Sequence, residues 1–233
     1  MGSVRYKAVV FDLFGTLIFN MTKAEHEGTL RRMADILGAP SEDFVRLWYT
    51  TFDDRITGVL PNAEACIDRI CGELGVRISP GQREQAGRIR HNLNINTMKP
   101  GPDAVDTVAK VKELGHRIAL VSDCSSEVPL VWPSTPFAPL FDAAIFSCAV
   151  GVKKPDPRIY RMATTQLGLE PAECLYVGDG SSRELTGAAA VGMHPVLVRD
   201  PSEDAAAMHR IEAEGDSWQG PVISSLAEVL RLL

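Results

Sequence analysis

The sequence predicts an α/β fold: a three-layer core whose parallel sheet is covered by helices on both faces, with a small helical unit inserted after the first strand. Three observations carry that expectation. Residues 8–11 are a short, unbroken run of β-type apolar residues, the pattern of a strand buried on both faces. From residue 99 onward, apolar β-runs alternate with helical periodicity, the order of βαβ units. Residues 19–98 show helical periodicity and no convincing strand. The core is therefore expected over residues 1–18 and 99–233, and the helical unit over residues 19–98.

After the first strand, Leu30, Met33, Ala34 and Leu37 recur at helical spacing, and Gly38 with Pro40 end that helix. Ser41 is placed to cap the next one, whose Phe44, Trp48 and Phe52 share a face. Ile67, Ile70, Cys71 and Leu74 repeat the spacing up to Gly75, and a polar, arginine-rich helix is expected over 81–98. Arg55, Arg88 and Arg90 in this unit read as solvated charges, with the alternative that one of them meets an anionic substrate. In the core, strands are expected at 118–121, 144–146, 175–177, 196–198 and, more weakly, 222–223. Helices are expected at 103–114, 156–167, 184–191, 203–214 and 226–232. Pro129, Pro133, Pro136 and Pro139 mark an irregular loop after the second core strand, with Trp132 expected to pack it.

Composition narrows the function classes. The chain has 233 residues, a net charge of −6 and no Lys/Arg block, which argues against a nucleic-acid partner because phosphate binding needs clustered cations. Five cysteines without a CxxC pair suggest neither a disulfide framework nor a zinc site. No apolar run approaches the roughly 18 residues that span a bilayer, and no apolar signal stretch opens the chain. A cytoplasmic location with no membrane partner is the expectation.

The chemistry lies at the strand ends. In an open α/β sheet, ligands bind beyond the carboxyl ends of the strands. The first end carries Asp12, followed by Gly15 and Thr16; alone, this reads as an Asx turn. The second end offers Ser122 and Asp123, the third leads into Lys153-Lys154-Pro155, and the fourth carries Gly178-Asp179 with Glu184 beyond. Turn chemistry does not account for a carboxylate, a hydroxyl, a lysine and a second carboxylate in that order on consecutive strands. A carboxylate is a covalent nucleophile when a cation lowers its pKa and holds it in line. A lysine and a hydroxyl orient and neutralise an anionic group under attack. Paired carboxylates make a hard oxygen site suited to Mg²⁺.

In Asp12-Leu13-Phe14-Gly15-Thr16, Ser122, Lys154-Pro155 and Gly178-Asp179 with Glu184, the chain resembles the haloacid dehalogenase superfamily of hydrolases over essentially its whole length. The resemblance implies a Rossmann-like core in which the helical insertion is a mobile cap. It implies that Asp12 is the nucleophile, that Thr16 orients its loop, that Ser122 hydrogen-bonds the transferring group, and that Lys154 stabilises Asp12 and the developing charge. It implies a Mg²⁺ held by Asp12, the backbone carbonyl of Phe14, Asp179 and Glu184, with Phe14, Gly15 and Asp123 beside a small anionic substrate.

One departure bears on the reaction. Family phosphatases carry a second aspartate two residues after the nucleophile, as general acid; here that position is Phe14. L-2-haloacid dehalogenases, whose halide leaving group needs no proton, resemble this chain in having an aromatic residue there and in the tyrosine of Lys154-Pro155-Asp156-Pro157-Arg158-Ile159-Tyr160. In those enzymes a cap arginine assists the halide, making Arg31 and Arg32 the candidates. Yet dehalogenases act without metal and lack the acids that Asp179 and Glu184 supply here. A Mg²⁺-dependent phosphohydrolase acting on good leaving groups is the first expectation, a C–halogen hydrolase the second, and a ligand-binding protein of low turnover the third.

Overall fold

A computed structural model describes residues 6–18, 21–199 and 217–233. Six parallel strands form one sheet: β1 (Ala8–Phe11), β2 (Arg117–Ser122), β3 (Ala143–Phe146), β4 (Cys174–Gly178), β5 (His194–Val198) and β6 (Val222–Ile223). Their order is β3-β2-β1-β4-β5-β6, so the chain winds outward one way from β1 and then the other way from β4. The two windings part between β1 and β4, where a crevice opens at the carboxyl edge of such a sheet. Phe11 lies in register with Val177, and the Asp12 N–H donates to the Val177 carbonyl at 2.9 Å, which brings the ends of β1 and β4 together.

β1 is buried on both faces, and its alternating side chains enter two different cores. Val9 and Phe11 pack with Val108 and Val111 of α6 (Ala104–Glu113), while Ala8 and Val10 pack with α9 (Pro157–Leu167) and α10 (Glu184–Ala190). That two-sided burial is why the strand reads as a continuous apolar run rather than an alternating one.

Between β1 and α6 lie α1 (Lys23–Leu37), α2 (Ser41–Thr50), α3 (Phe52–Ile56), α4 (Ala63–Glu73) and α5 (Pro80–Thr97), packed around an apolar cluster of their own that includes Leu30, Phe44, Trp48, Ile67 and Ile70. Thr22 and Glu25 form a capping box at the start of α1, and Gly38 closes it at φ 68°, the left-handed conformation that favours glycine. Ser79 and Gln82 form a second capping box ahead of Pro80 in α5. Ser41 does not cap α2: it is the first helical residue and its hydroxyl donates to Asp35 instead. Phe44 and Trp48 share the buried face as expected, but the helix breaks at Thr51, so Phe52 begins α3.

Other differences from the sequence expectation are local. The proline-rich segment contains α7 (Glu127–Val131) and a 3-10 turn, Trp132–Ser134; Trp132 is buried against Phe137, Phe141 and Phe146, so it does pack the loop. A one-turn helix, α8 (Ser147–Val150), follows β3. Residues 226–231 are a 3-10 helix rather than an α-helix. The helix expected at 203–214 lies outside the described residues. Arg88 is exposed, but Arg55 and Arg90 are each only 6% exposed, so the reading of those two as solvated charges is wrong. The five cysteines are free. Among the described residues, no helix is long and apolar enough to cross a membrane.

Candidate active site

Asp12, Asp179 and Glu184 converge at the carboxyl ends of β1 and β4, with ligand oxygens all within 4.8 Å of one another. Each is almost wholly buried. Asp12 follows β1 directly, and Gly15 turns the chain at φ 76° with its N–H donating to the Ile18 carbonyl at 2.9 Å. Gly15 thus has a turn role at the end of β1. The Thr16 hydroxyl lies 3.4 Å from Oδ2 of Asp12, close enough to orient the loop.

Lys154 is the centre of the cluster. Its Nζ donates to Oδ1 of Asp12 at 2.5 Å and to Oε2 of Glu184 at 2.6 Å, and its backbone N–H donates to Oδ1 of Asp123 at 3.0 Å. Burial by itself would lower the lysine's pKa; the facing carboxylates Asp12 and Glu184 outweigh it and hold the ammonium well above its usual value. The carboxylates move the other way. Burial and the charge of Glu184 push Asp12 up to about 7, burial and Asp12 push Asp179 up to about 6, and burial raises Glu184 to about 7. When all three carboxylates are ionised, one ammonium leaves two negative charges uncompensated among buried groups. A divalent cation with oxygen preference supplies that balance, so the donor set fits Mg²⁺.

The three acids are held by different means. Ser181 clamps Asp179, its N–H donating to Oδ1 and its hydroxyl to Oδ2, both at 2.9 Å. Glu184 accepts from the Gly180 N–H at 2.9 Å and from the Tyr176 hydroxyl at 2.8 Å, besides Lys154. With three donors already on Glu184, Asp12 and Asp179 present the less committed oxygens. Gly178 makes the approach possible, because a Cβ there would overlap Oε1 of Glu184. Sequence reasoning missed Tyr176 and Ser181. Tyr176 reads as one more apolar strand residue, whereas a serine two residues after an aspartate is an Asx-turn signal that could have been used.

Among the remaining expected residues, Ser122 ends β2 fully buried, and its hydroxyl has no hydrogen-bond partner among the described residues. Asp12, Phe14, Asp123 and Lys154 line one small cleft together with Phe52, Ser181 and Ser182. Burial raises the pKa of Asp123 as well. Tyr160 is not at the cleft: its hydroxyl donates to the Glu184 backbone carbonyl at 3.0 Å and its ring packs edge-on against Tyr176. Arg31 is engaged by Glu42 and Glu27 on the outside of the helical unit, and Arg32 is exposed and donates to Thr29.

A parallel α/β sheet, a helical insertion after its first strand and a lysine-held acidic cluster at its switch point define a hydrolase of the α/β class. The chain belongs to the haloacid dehalogenase-like hydrolases, whose family profile matches residues 6–192. It is 26% identical over 198 residues to a glyceraldehyde 3-phosphate phosphatase of Methanopyrus kandleri, covering 83% of this chain and 84% of that one. It is 25% identical over 222 residues to (S)-2-haloacid dehalogenase 4A of Burkholderia cepacia, covering 91% and 93%. In fold it is similar to a phosphatase of the same superfamily from Thermococcus onnurineus, with a TM-score of 0.66, 19% identity and 97% coverage of both chains.

Proposed function

We propose that the protein is a Mg²⁺-dependent phosphohydrolase acting on a small phosphorylated metabolite with a good leaving group. The observation that carries this reading is the buried cluster of Asp12, Asp179 and Glu184 around a single lysine. A C–halogen hydrolase acting without metal has no use for two further buried acids beside its nucleophile, and burying them is costly. The phosphatase relative supports the same choice.

In this mechanism Asp12 attacks phosphorus, the bond to the leaving oxygen breaks with its electron pair going to that oxygen, and water then hydrolyses the aspartyl phosphate. Lys154 opposes the rise in the pKa of Asp12 and holds its carboxylate in place, and the Ser122 hydroxyl, without a hydrogen-bond partner among the described residues, is available to a phosphoryl oxygen. Asp12 and Asp179 would hold Mg²⁺ together with the Phe14 carbonyl, and Glu184 would complete the charge; the ion supplies neutralisation of the phosphoryl oxygens. We assign the helical insertion as the cap that closes over this cleft, since Phe52 of α3 lines it.

Phe14 sets the leaving-group requirement. A positioned general acid contributes about 10²- to 10⁴-fold, and a phenyl ring donates no proton. Acyl phosphates and phosphoanhydrides leave without that help. The test is phosphate release from acetyl phosphate with Mg²⁺ and with EDTA. Turnover that needs Mg²⁺ and falls to background in Asp12→Asn is expected; no release across a broad phosphate panel overturns the reading. The second reading, C–halogen hydrolysis, is favoured by Phe14 itself and by the dehalogenase relative. Chloride release from L-2-chloropropionate that persists in EDTA would establish it.

A further inference from the structure

A second cleft adjoins the one at Asp12. Phe14, Phe52 and Asp123 line both, and beyond them the second cleft runs between the helical insertion and the core. On its insertion side it is lined by Arg55 of α3 and Arg90 of α5. Both guanidinium groups lie against Trp48, 4.9 and 5.4 Å from the ring centroid, and both line this cleft.

Their compensation is incomplete. Arg55 donates from Nε to the Thr51 hydroxyl at 3.2 Å and from Nη2 to the Trp48 carbonyl at 3.1 Å, and neither acceptor carries a charge. Arg90 has Nη1 3.4 Å from Nδ1 of His26, and its Nε lies 3.6 Å from Glu127 of α7 with no hydrogen-bond partner among the described residues. Oε2 of Glu127 is also without one. Among the described residues, Glu127 is thus the carboxylate whose charge acts on both arginines, one negative charge against two positive. Asp123 stands at the junction of the clefts, and its main interactions are with Lys154, Ser182 and Lys153. Burial, and then the like charge of Arg90, pulls the Arg55 guanidinium down to about 10. Isolated buried charges of this kind are costly unless a partner satisfies them.

We propose that Arg55 and Arg90 are a recognition site for a carboxylate carried by the substrate, so that the preferred substrate is a small phosphorylated carboxylate. The inference rests on the phosphohydrolase reading above. One excess positive charge matches a monoanion better than a second phosphate dianion, and a planar carboxylate suits the guanidinium fork. The phosphoryl group then sits at Asp12, and the substrate passes Phe14 and Phe52 to place its carboxylate on the insertion side, away from Asp123.

The test is calorimetric binding of three non-hydrolysable probes in Mg²⁺: propylphosphonate, 3-phosphonopropionate and propane-1,3-diphosphonate. The carboxylated probe is expected to bind at least about tenfold more tightly than propylphosphonate, the lower end for hydrogen bonds to a charged partner. Arg55→Gln and Arg90→Gln should each bring that ratio close to one. Arg55→Lys and Arg90→Lys, which keep the charge in the fold, should retain part of it and stand in if the glutamine variants do not fold. A wild-type ratio near one with both monophosphonates bound overturns the proposal and leaves the phosphohydrolase reading standing. Tighter binding of the diphosphonate than of 3-phosphonopropionate overturns the carboxylate assignment. Failure of all three probes to bind overturns the phosphohydrolase reading, and this inference with it.

Discussion

Phe14 and Gly178 differ in what they permit at the cluster. Phe14 stands where a proton donor would serve the leaving group, so Phe14→Asp is expected to raise turnover of alkyl phosphates, the poor leaving groups, by about 10²-fold or more. The same substitution should change acetyl phosphate turnover little. Measuring both substrates separates a restored acid from a general gain; equal gains on both would refute the assignment. Gly178 permits the opposite, the close approach of Glu184. Gly178→Ala must displace that carboxylate and with it Lys154 and Tyr176, so Mg²⁺ affinity should fall about 10- to 100-fold, as with other groups supporting a metal site. Titration of Mg²⁺-dependent activity reads this directly. The cluster at Asp12 was legible in the sequence because turn chemistry, which explains each strand-end residue singly, does not explain a carboxylate, a hydroxyl, a lysine and a second carboxylate on consecutive strands. Tyr176 was not, since a continuous apolar run does not reveal that one of its residues carries a hydroxyl aimed at a carboxylate eight residues on. Arg55 and Arg90 were misread for a similar reason: charge predicts exposure, and only the fold shows them stacked on Trp48.

The six strands were legible because they are short apolar runs, the central ones buried on both faces, and helices such as α1 and α9 because each carries an apolar stripe with a start or stop signal. The short pieces α3, α7 and α8 were not, since one turn or so of helix has no periodicity to detect and is held by tertiary contact alone. Those pieces are also where insertion and core meet. Gly58, just after α3, sits at φ 75° with the Cys148 backbone carbonyl of α8 where a Cβ would go. Lys153 and Asp53 form an ion pair across the same junction at 2.6 Å, with side-chain exposures of 37% and 68%. The backbone contact is predicted to matter more. Gly58→Ala combines a left-handed backbone with an overlap that a flexible side chain cannot relieve, and should destabilise by more than about 1 kcal/mol. Lys153→Ala removes a solvent-screened pair, for which measured values lie at about 0–1 kcal/mol. Urea denaturation of the two variants ranks them, and a larger loss from Lys153→Ala would refute the ordering.

At the scale of the whole molecule, the acidic cluster ties stability to pH and to metal. In the unfolded chain Asp12, Asp179 and Glu184 titrate near their ordinary values of 3.8, 3.8 and 4.5, whereas in the metal-free fold burial pushes them to about 7, 6 and 7. Between pH of about 4 and 7 these three groups therefore hold more protons in the folded state than in the unfolded one, and their contribution to stability falls as pH rises through that window. Below it both states are protonated, and above it both are ionised, so these groups add no further slope. Mg²⁺ binds the ionised carboxylates and must displace their protons, so its stabilisation runs in the opposite sense and grows as pH rises. The expected result is a melting temperature in EDTA that is lower at pH 8 than at pH 5.5, and a Mg²⁺-induced increase that is larger at pH 8. Asp179→Asn removes one of the repelling charges along with a metal ligand; it should raise the metal-free melting temperature at pH 8 and diminish the response to Mg²⁺. A metal-free protein that becomes more stable from pH 5.5 to 8, or a Mg²⁺ increment that is the same at both, would show that the cluster is neither strained without the ion nor relieved by it.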